Sequence, residues 1–233
     1  MRWLDDVLAR TARLKLMVNF HGTTVPRGIE RTWPHVLTVE AVQGGEFYNG
    51  YRRLGIPDSV RPHEPSSLVT LPFTRNVVGS MDFTPVLFSS TNRLTTEGFE
   101  LGTAVVYESG LQHWADGIAG YRVRPAAERV LERVPVAWDE TRLLAGRPGR
   151  EAVLARRRGR EWWIGAISAT GARTSRVSLR FLRRGRWTAT LVGDRPGGGL
   201  RERRLRVRPR TTLRVVLARA GGYVVRLLPR REG

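Results

Sequence analysis

Residues 14–46 read LKLMVNFHGTTVPRGIERTWPHVLTVEAVQGGE, and the grouping of their apolar residues decides the fold. LKLMVNF is a short apolar run that stops at His21-Gly22, and VLTVEAV is a second that stops short of Gly44-Gly45. Runs of this length bounded by glycine read as buried strands. Upstream, Trp3, Leu4, Val7, Leu8 and Ala12 recur at helical spacing. Downstream, SLVTLPF (67–73) repeats the strand pattern, and TTEGFELGTAVVYESGL (95–111) predicts a helix with Phe99, Leu101, Val105 and Val106 on one buried face. Helix alternating with buried strand predicts a parallel α/β sheet, in which functional residues gather at the C-terminal strand ends. His21 and Glu40 fall at or near such ends.

From about residue 150 the period changes to two. EAVLARRRGREWWIGAI (151–167) predicts a hairpin turning at RRRGR, and TSRVSLRFLRRGRWTATLVGD (174–194) predicts another turning at RRGR. Leu205, Val207, Leu213, Val215 and Leu217 then alternate with arginine or threonine, as antiparallel strands with one wet face do. In such a sheet one of Trp162 and Trp163 is core and the other exposed, with a sugar platform as the minor reading. Residues 122–150, punctuated by Pro125, Pro135 and Pro148, read as a tether. The expected division is an α/β region over 1–128, a linker over 129–149 and a β-sandwich over 150–233.

The 233 residues are 41% hydrophobic, enough for a packed core, and include no cysteine, which removes thiolate chemistry and disulfides. No apolar run is long enough to span a bilayer, and MRWLDDVLAR has acids where a signal peptide has its apolar core. The formal charge is +19. Residues 1–121 carry 11 basic and 12 acidic side chains, net −1, while 122–233 carry 29 basic and 9 acidic, net +20. Of the 40 basic residues 39 are arginine, which points to replacement of lysine throughout and not to a phosphate track. Nucleic-acid binding through the basic region stands as a minor alternative, weakened by the lack of interleaved aromatics.

Four blocks in order carry a family resemblance: residues 17–48, TRNVVGSMDFTP (74–85), ESGLQHWAD (108–116) and VPVAWDETRLLAGRPG (134–149). Together they resemble glycoside hydrolase family 97, whose members join a β-sandwich, a catalytic (β/α)8 barrel and a C-terminal β-sandwich and cleave α-glycosidic bonds. The resemblance implies the second half of that barrel followed by the last sandwich. The α/β part is about half a typical barrel, so the chain is expected to be a C-terminal piece, with partial disorder or self-association of the open half.

The resemblance also implies roles. Glu46 matches the general acid/base. Glu40, with Glu46, matches a calcium site, and oxygen ligands suit a hard cation. His21 matches a histidine that bonds the sugar, Arg31 with Trp33 forms a rim, and Asp82 stands at a further strand end as a substrate-binding residue. In the family's inverting branch a glutamate follows the histidine. Here Gly22 stands there, as in the retaining, α-galactosidase-like branch, whose aspartate nucleophile is placed by spacing before Met1. Asp5 and Asp6 lie on a helix and do not fit it. The implied function is a retaining glycosidase acting on an α-galactoside or α-glucoside and inactive as this chain alone, with a non-catalytic carbohydrate-binding or interaction module as the alternative. Full-length relatives are implied to be periplasmic or extracellular. Without the family, Glu46 reads as a loop acid, Glu40 as a carboxylate bonded to backbone amides and His21 as a core histidine. His35, His63 and His113 have no metal-site spacing and are read as structural.

Overall fold

The computed structural model describes residues 2–23, 25–49 and 63–230. The N-terminal helix α1 (Arg2–Arg13) leads into β1 (Val18–Phe20), which pairs in parallel with β2 (Val36–Val39) across the short helix α2 (Ile29–Thr32). Val39 bridges onward, again in parallel, to Met81. Leu8 of α1 is fully buried in a cluster with Val36 and Val39, so the helix covers one face of these segments. The amide of Glu40 donates to Phe20 O at 2.8 Å and that of Asp82 to Val39 O at 3.1 Å. This slanted parallel ladder brings His21, Glu40 and Asp82 out at one edge, each just past the C-terminal end of its segment.

SLVTLPF is not a strand. It forms α3 (Pro65–Thr70) and a 3-10 turn over Leu71–Phe73, followed by α4 (Arg75–Val78). Pro65 opens α3, where its fixed φ suits a first turn and its missing N–H is not needed. A seven-residue apolar run cannot by itself distinguish a strand from a buried helical turn.

Helix α5 (Glu97–Val106) is capped by Thr96, whose hydroxyl accepts from the Phe99 amide at 3.1 Å. It is buried from Gly98 through Val106, and not on one face only. The reason is its position, wedged between the N-terminal segments and the sheet that follows. Asp194 fastens its start: one carboxylate oxygen accepts from Gly98 N at 2.8 Å, the other from Thr96 Oγ1 at 2.8 Å and Gly222 N at 3.1 Å. Helices α6 (Ile118–Arg122) and α7 (Pro125–Leu131) complete this layer.

The C-terminal region is antiparallel. Strands β3 (Glu140–Arg147), β4 (Glu151–Arg158), β5 (Glu161–Ser168), β7 (Trp187–Asp194), β8 (Leu200–Val207) and β10 (Gly222–Pro229) form one sheet in the order β3-β4-β5-β10-β7-β8. Strands β6 (Arg173–Ser178) and β9 (Thr212–Leu217) pair separately. The β4–β5 hairpin forms as the sequence predicts. The second predicted hairpin does not, because β6 and β7 diverge into different sheets. Alternation identifies a strand and its buried face but not its partner. Residues 140–147, read as part of the tether, form edge strand β3 beside β4.

Trp162 and Trp163 are both buried. Trp162 packs in the core beneath β6 and β9, and Trp163 packs on the opposite face with α5 residues Leu101, Ala104 and Val105. The central strands are thus covered on both sides, and the wet faces include those of β6, β8 and β9, where exposed arginines alternate or cluster. Among the described residues no helix is long and apolar enough to cross a membrane.

Candidate active site

Two strand ends and a 3-10 turn converge on one group of side chains. His21 follows β1, Glu40 follows β2, and Glu46 lies in a 3-10 turn over Gly45–Asn49 that folds back over them. His21 Nε2 stands 3.7 Å from Glu40 Oε1 and 3.7 Å from Glu46 Oε1. One ligand atom from each of the three residues lies within 4.8 Å of the other two. Glu46 Oε1 is buried without a hydrogen-bond partner, whereas Oε2 accepts from the Thr84 hydroxyl.

The local sequence explains the arrangement. Gly22, at φ 68°, turns the chain left-handed directly after His21 and donates its amide to Glu40 Oε2. Gly45 has another role: its amide donates to Phe83 O at 2.6 Å, and a Cβ there would collide with the carbonyl of Thr84. It permits close approach of backbone to backbone. Ala41, Thr84 and Val86 also sit at positive φ, of 42°, 53° and 68°. For the β-branched Thr84 and Val86 this is strained backbone, of the kind that concentrates at working sites.

Beneath the cluster, Arg75 is buried and donates Nε to Glu40 O at 3.1 Å, Nη2 to Val39 O at 2.5 Å and Ser80 O at 3.1 Å, and Nη1 to Gly79 O at 3.0 Å. It satisfies Glu40 O, which has no other donor among the described residues, and adds a second bond to Val39 O and Ser80 O, which the ladder amides already reach, and to Gly79 O, which Asn76 also reaches. Beside it, Asp82 is almost completely buried, with Oδ2 accepting from His21 Nδ1 and Asn19 Nδ2 and Oδ1 from His113 Nδ1, each at 3.1 Å.

Charge follows burial. Desolvation raises the pKa of the Glu40 carboxyl; the Gly22 amide opposes this, and the neighbouring Glu46 reinforces it. For His21 desolvation disfavours the cation, but the bond to Asp82 and the charges of Glu40 and Glu46 outweigh it and raise the pKa above the ordinary histidine value.

Of the site residues expected from sequence, His21, Glu40 and Glu46 come together and Asp82 stands directly behind them. Arg31 does not join them: it lies exposed on α2 and makes no polar side-chain contact with the cluster among the described residues. Trp33 instead packs partly buried with Leu8 and Val36. Asn19, Arg75, Thr84 and His113 were not anticipated. His113 had a usable signal in the ESGLQHWAD block. His35 and His63 are structural: His35 bonds the Thr11 hydroxyl at 3.0 Å, and buried His63 meets Gly44 O at 2.8 Å through Nε2.

The same order of elements occurs in known proteins. Residues 1–42 match the model of glycoside hydrolase 97, and residues 137–228 match that of the glycosyl-hydrolase 97 C-terminal, oligomerisation region. The chain belongs to glycoside hydrolase family 97. It is 48% identical over 225 residues to a Streptomyces bingchenggensis protein named "Probable retaining alpha-galactosidase", covering 96% of this chain and 33% of that one. It is 30% identical to the retaining alpha-galactosidase of Bacteroides thetaiotaomicron, covering 93% of this chain and 34% of that one. The chain thus spans about a third of the length of these curated relatives. Among solved structures, a family 97 enzyme of Pseudoalteromonas sp. strain K8 in complex with acarbose superposes with a TM-score of 0.86 at 29% identity, over 96% of this chain and 36% of that one. A β-arabinopyranosidase superposes with a TM-score of 0.82 at 29% identity, over 97% of this chain and 36% of that one.

Proposed function

We propose that the His21–Glu40–Glu46 cluster is the acid/base and cation-binding side of a retaining α-galactosidase site. The observation that carries this is the buried, unpartnered Oε1 of Glu46, held opposite His21 Nε2 at a strand-end edge. In a retaining hydrolysis the acid gives its proton to the departing glycosidic oxygen while a second carboxylate attacks the anomeric carbon. The acid then returns as base to activate the water that releases the sugar. Glu46 has the position for this role. Glu40 does not serve as the nucleophile, since it is buried and bound to the Gly22 amide. The remaining carboxylate of the cluster, Asp82, is occupied by the two histidines. The attacking carboxylate is therefore assigned to a part of the hydrolase beyond this cluster.

A calcium ion fits between Glu40 and Glu46, since two carboxylates are held close together and one buried oxygen has no partner. Such an ion would supply positive charge that favours the ionised form of both carboxyls and attracts sugar hydroxyl oxygens. Glu46 as proton donor then depends on burial opposing that charge.

In this reading β1, β2 and the Met81 segment are consecutive strands of the later half of a (β/α)8 barrel, supported by their parallel pairing and their shared functional edge. The 137–228 region is the accompanying sandwich, and self-association through it accords with the oligomerisation description of its family model. The substrate is carbohydrate, with neither nucleic acid nor membrane as partner.

The test is calorimetric titration of the chain with calcium and then galactose, beside an assay with 4-nitrophenyl α-galactoside. Calcium and galactose binding that Glu46→Gln weakens, without turnover by the chain alone, is expected. Absence of both binding events would overturn the reading.

A further inference from the structure

We propose that Asp82 is a positioning residue that fixes the ring tautomers of two histidines, and that His113 is a second sugar-contacting imidazole beside His21. The ligand part rests on the sugar-site reading above; the positioning part does not.

The argument begins with what a carboxylate can offer. It has lone pairs and no proton, so a neutral imidazole bonded to it must donate. Asp82, at 1% side-chain exposure, receives His21 through Nδ1 on one oxygen and His113 through Nδ1 on the other. Both neutral rings therefore carry their proton on Nδ1 and leave Nε2 as an acceptor. The contact of Asn19 Nδ2 with His113 Nδ1, at 3.4 Å, sets donor against donor, and the Asn19 amide goes instead to Asp82 Oδ2 at 3.1 Å. Three donors thus converge on one buried carboxylate, and none can turn without leaving it unbalanced.

The two rings are half-exposed, 50% for His21 and 47% for His113. Nε2 of His21 faces Glu40 and Glu46. Nε2 of His113 has no protein hydrogen-bond partner among the described residues, and its ring is held on the same carboxylate. A half-exposed acceptor locked in one tautomer suits a sugar hydroxyl, which needs an acceptor for its proton. His113 is read as that acceptor, and Asp82, which is buried, acts only through the rings.

Long-range proton–nitrogen NMR on the full chain, followed to a pH at which the ring nitrogens themselves show the neutral imidazole pattern, reads the tautomers directly. In the parent both rings should show a protonated Nδ1 and a bare Nε2. Asp82→Asn has one acceptor and one donor to offer, so one ring must switch to the Nε2-protonated form. A parent with either ring protonated on Nε2, or an Asp82→Asn protein with both rings unchanged, overturns the positioning role. Galactose should shift the His113 Nε2 resonance, and His113→Ala should weaken galactose binding about 3- to 10-fold, as loss of one neutral hydrogen bond does. A shift at His21 without one at His113 overturns the role of His113 and leaves the sugar site standing. No shift at either ring overturns the sugar site and His113's role together, while the tautomers still decide Asp82.

Discussion

Thr84 holds Glu46 in place: a β-branched residue at φ 53° donates its hydroxyl to one carboxylate oxygen and so leaves the other to face His21. Thr84→Gly removes that bond, worth about 1 kcal/mol, and relieves a backbone conformation costing about as much. Thermal stability should change by only a few degrees. Calcium affinity, followed by calorimetry, should fall several-fold as Glu46 loses its tether; an unchanged affinity refutes the positioning argument.

The two glycines of the site should fail differently. Alanine at position 22 meets open space but must adopt a left-handed backbone, at a cost of about 1 kcal/mol. Alanine at position 45 collides with the Thr84 carbonyl, and the turn must shift, at about 1–3 kcal/mol. Denaturant unfolding should rank Gly45→Ala below Gly22→Ala. Circular dichroism should report a folded protein for the latter.

Arg75→Lys should behave nearly as badly as Arg75→Met. A single ammonium cannot span the four carbonyls of Val39, Glu40, Gly79 and Ser80. Glu40 O, which has no other donor among the described residues, costs about 1–3 kcal/mol if left unsatisfied, and the other three each lose a second bond. Both variants should lose stability, and calcium affinity should drop with it; full rescue by lysine would show that charge alone matters.

Glu100, inside α5, is fully buried, and desolvation raises its pKa despite bonds from the Thr95 hydroxyl at 2.5 Å and the Leu87 amide at 3.3 Å. A carboxyl raised by folding favours the folded state below its unfolded pKa, near 4.3, and that contribution is lost as pH rises through the folded value. Glu100→Gln lacks this ionisation. Its stability relative to the parent should therefore increase with pH from about 4 upward. A difference flat across that range would show that folding leaves the Glu100 pKa unchanged.

The site was legible where chemistry and chain order coincide. His21, Glu40 and Asp82 each follow a parallel segment, and the glycines mark where these segments end. Arg31 stands apart from the cluster, exposed on α2, because nearness in sequence alone does not bring a side chain to the strand ends. His113 was missed because its partner is a buried aspartate 31 residues away, a relation that metal-type spacing does not reveal. The β region was legible as strands but not as sheets. Alternation placed Leu213, Val215 and Leu217 inward, yet it carried no information on whether β6 would pair with β7 or with β9. The two tryptophans misled for a related reason: period two distinguishes faces, and only the tertiary fold shows that α5 covers the second one.

Asp194 reaches from β7 to both the first turn of α5 and the start of β10, and α5 is enclosed by the layers on either side. The N-terminal segments and the antiparallel sheet therefore cannot be exchanged like beads on a string. A chimera that grafts residues 137–233 from a distant relative must also import a compatible α5, or it strands an aspartate in hydrocarbon and leaves Trp163 without its counterpart.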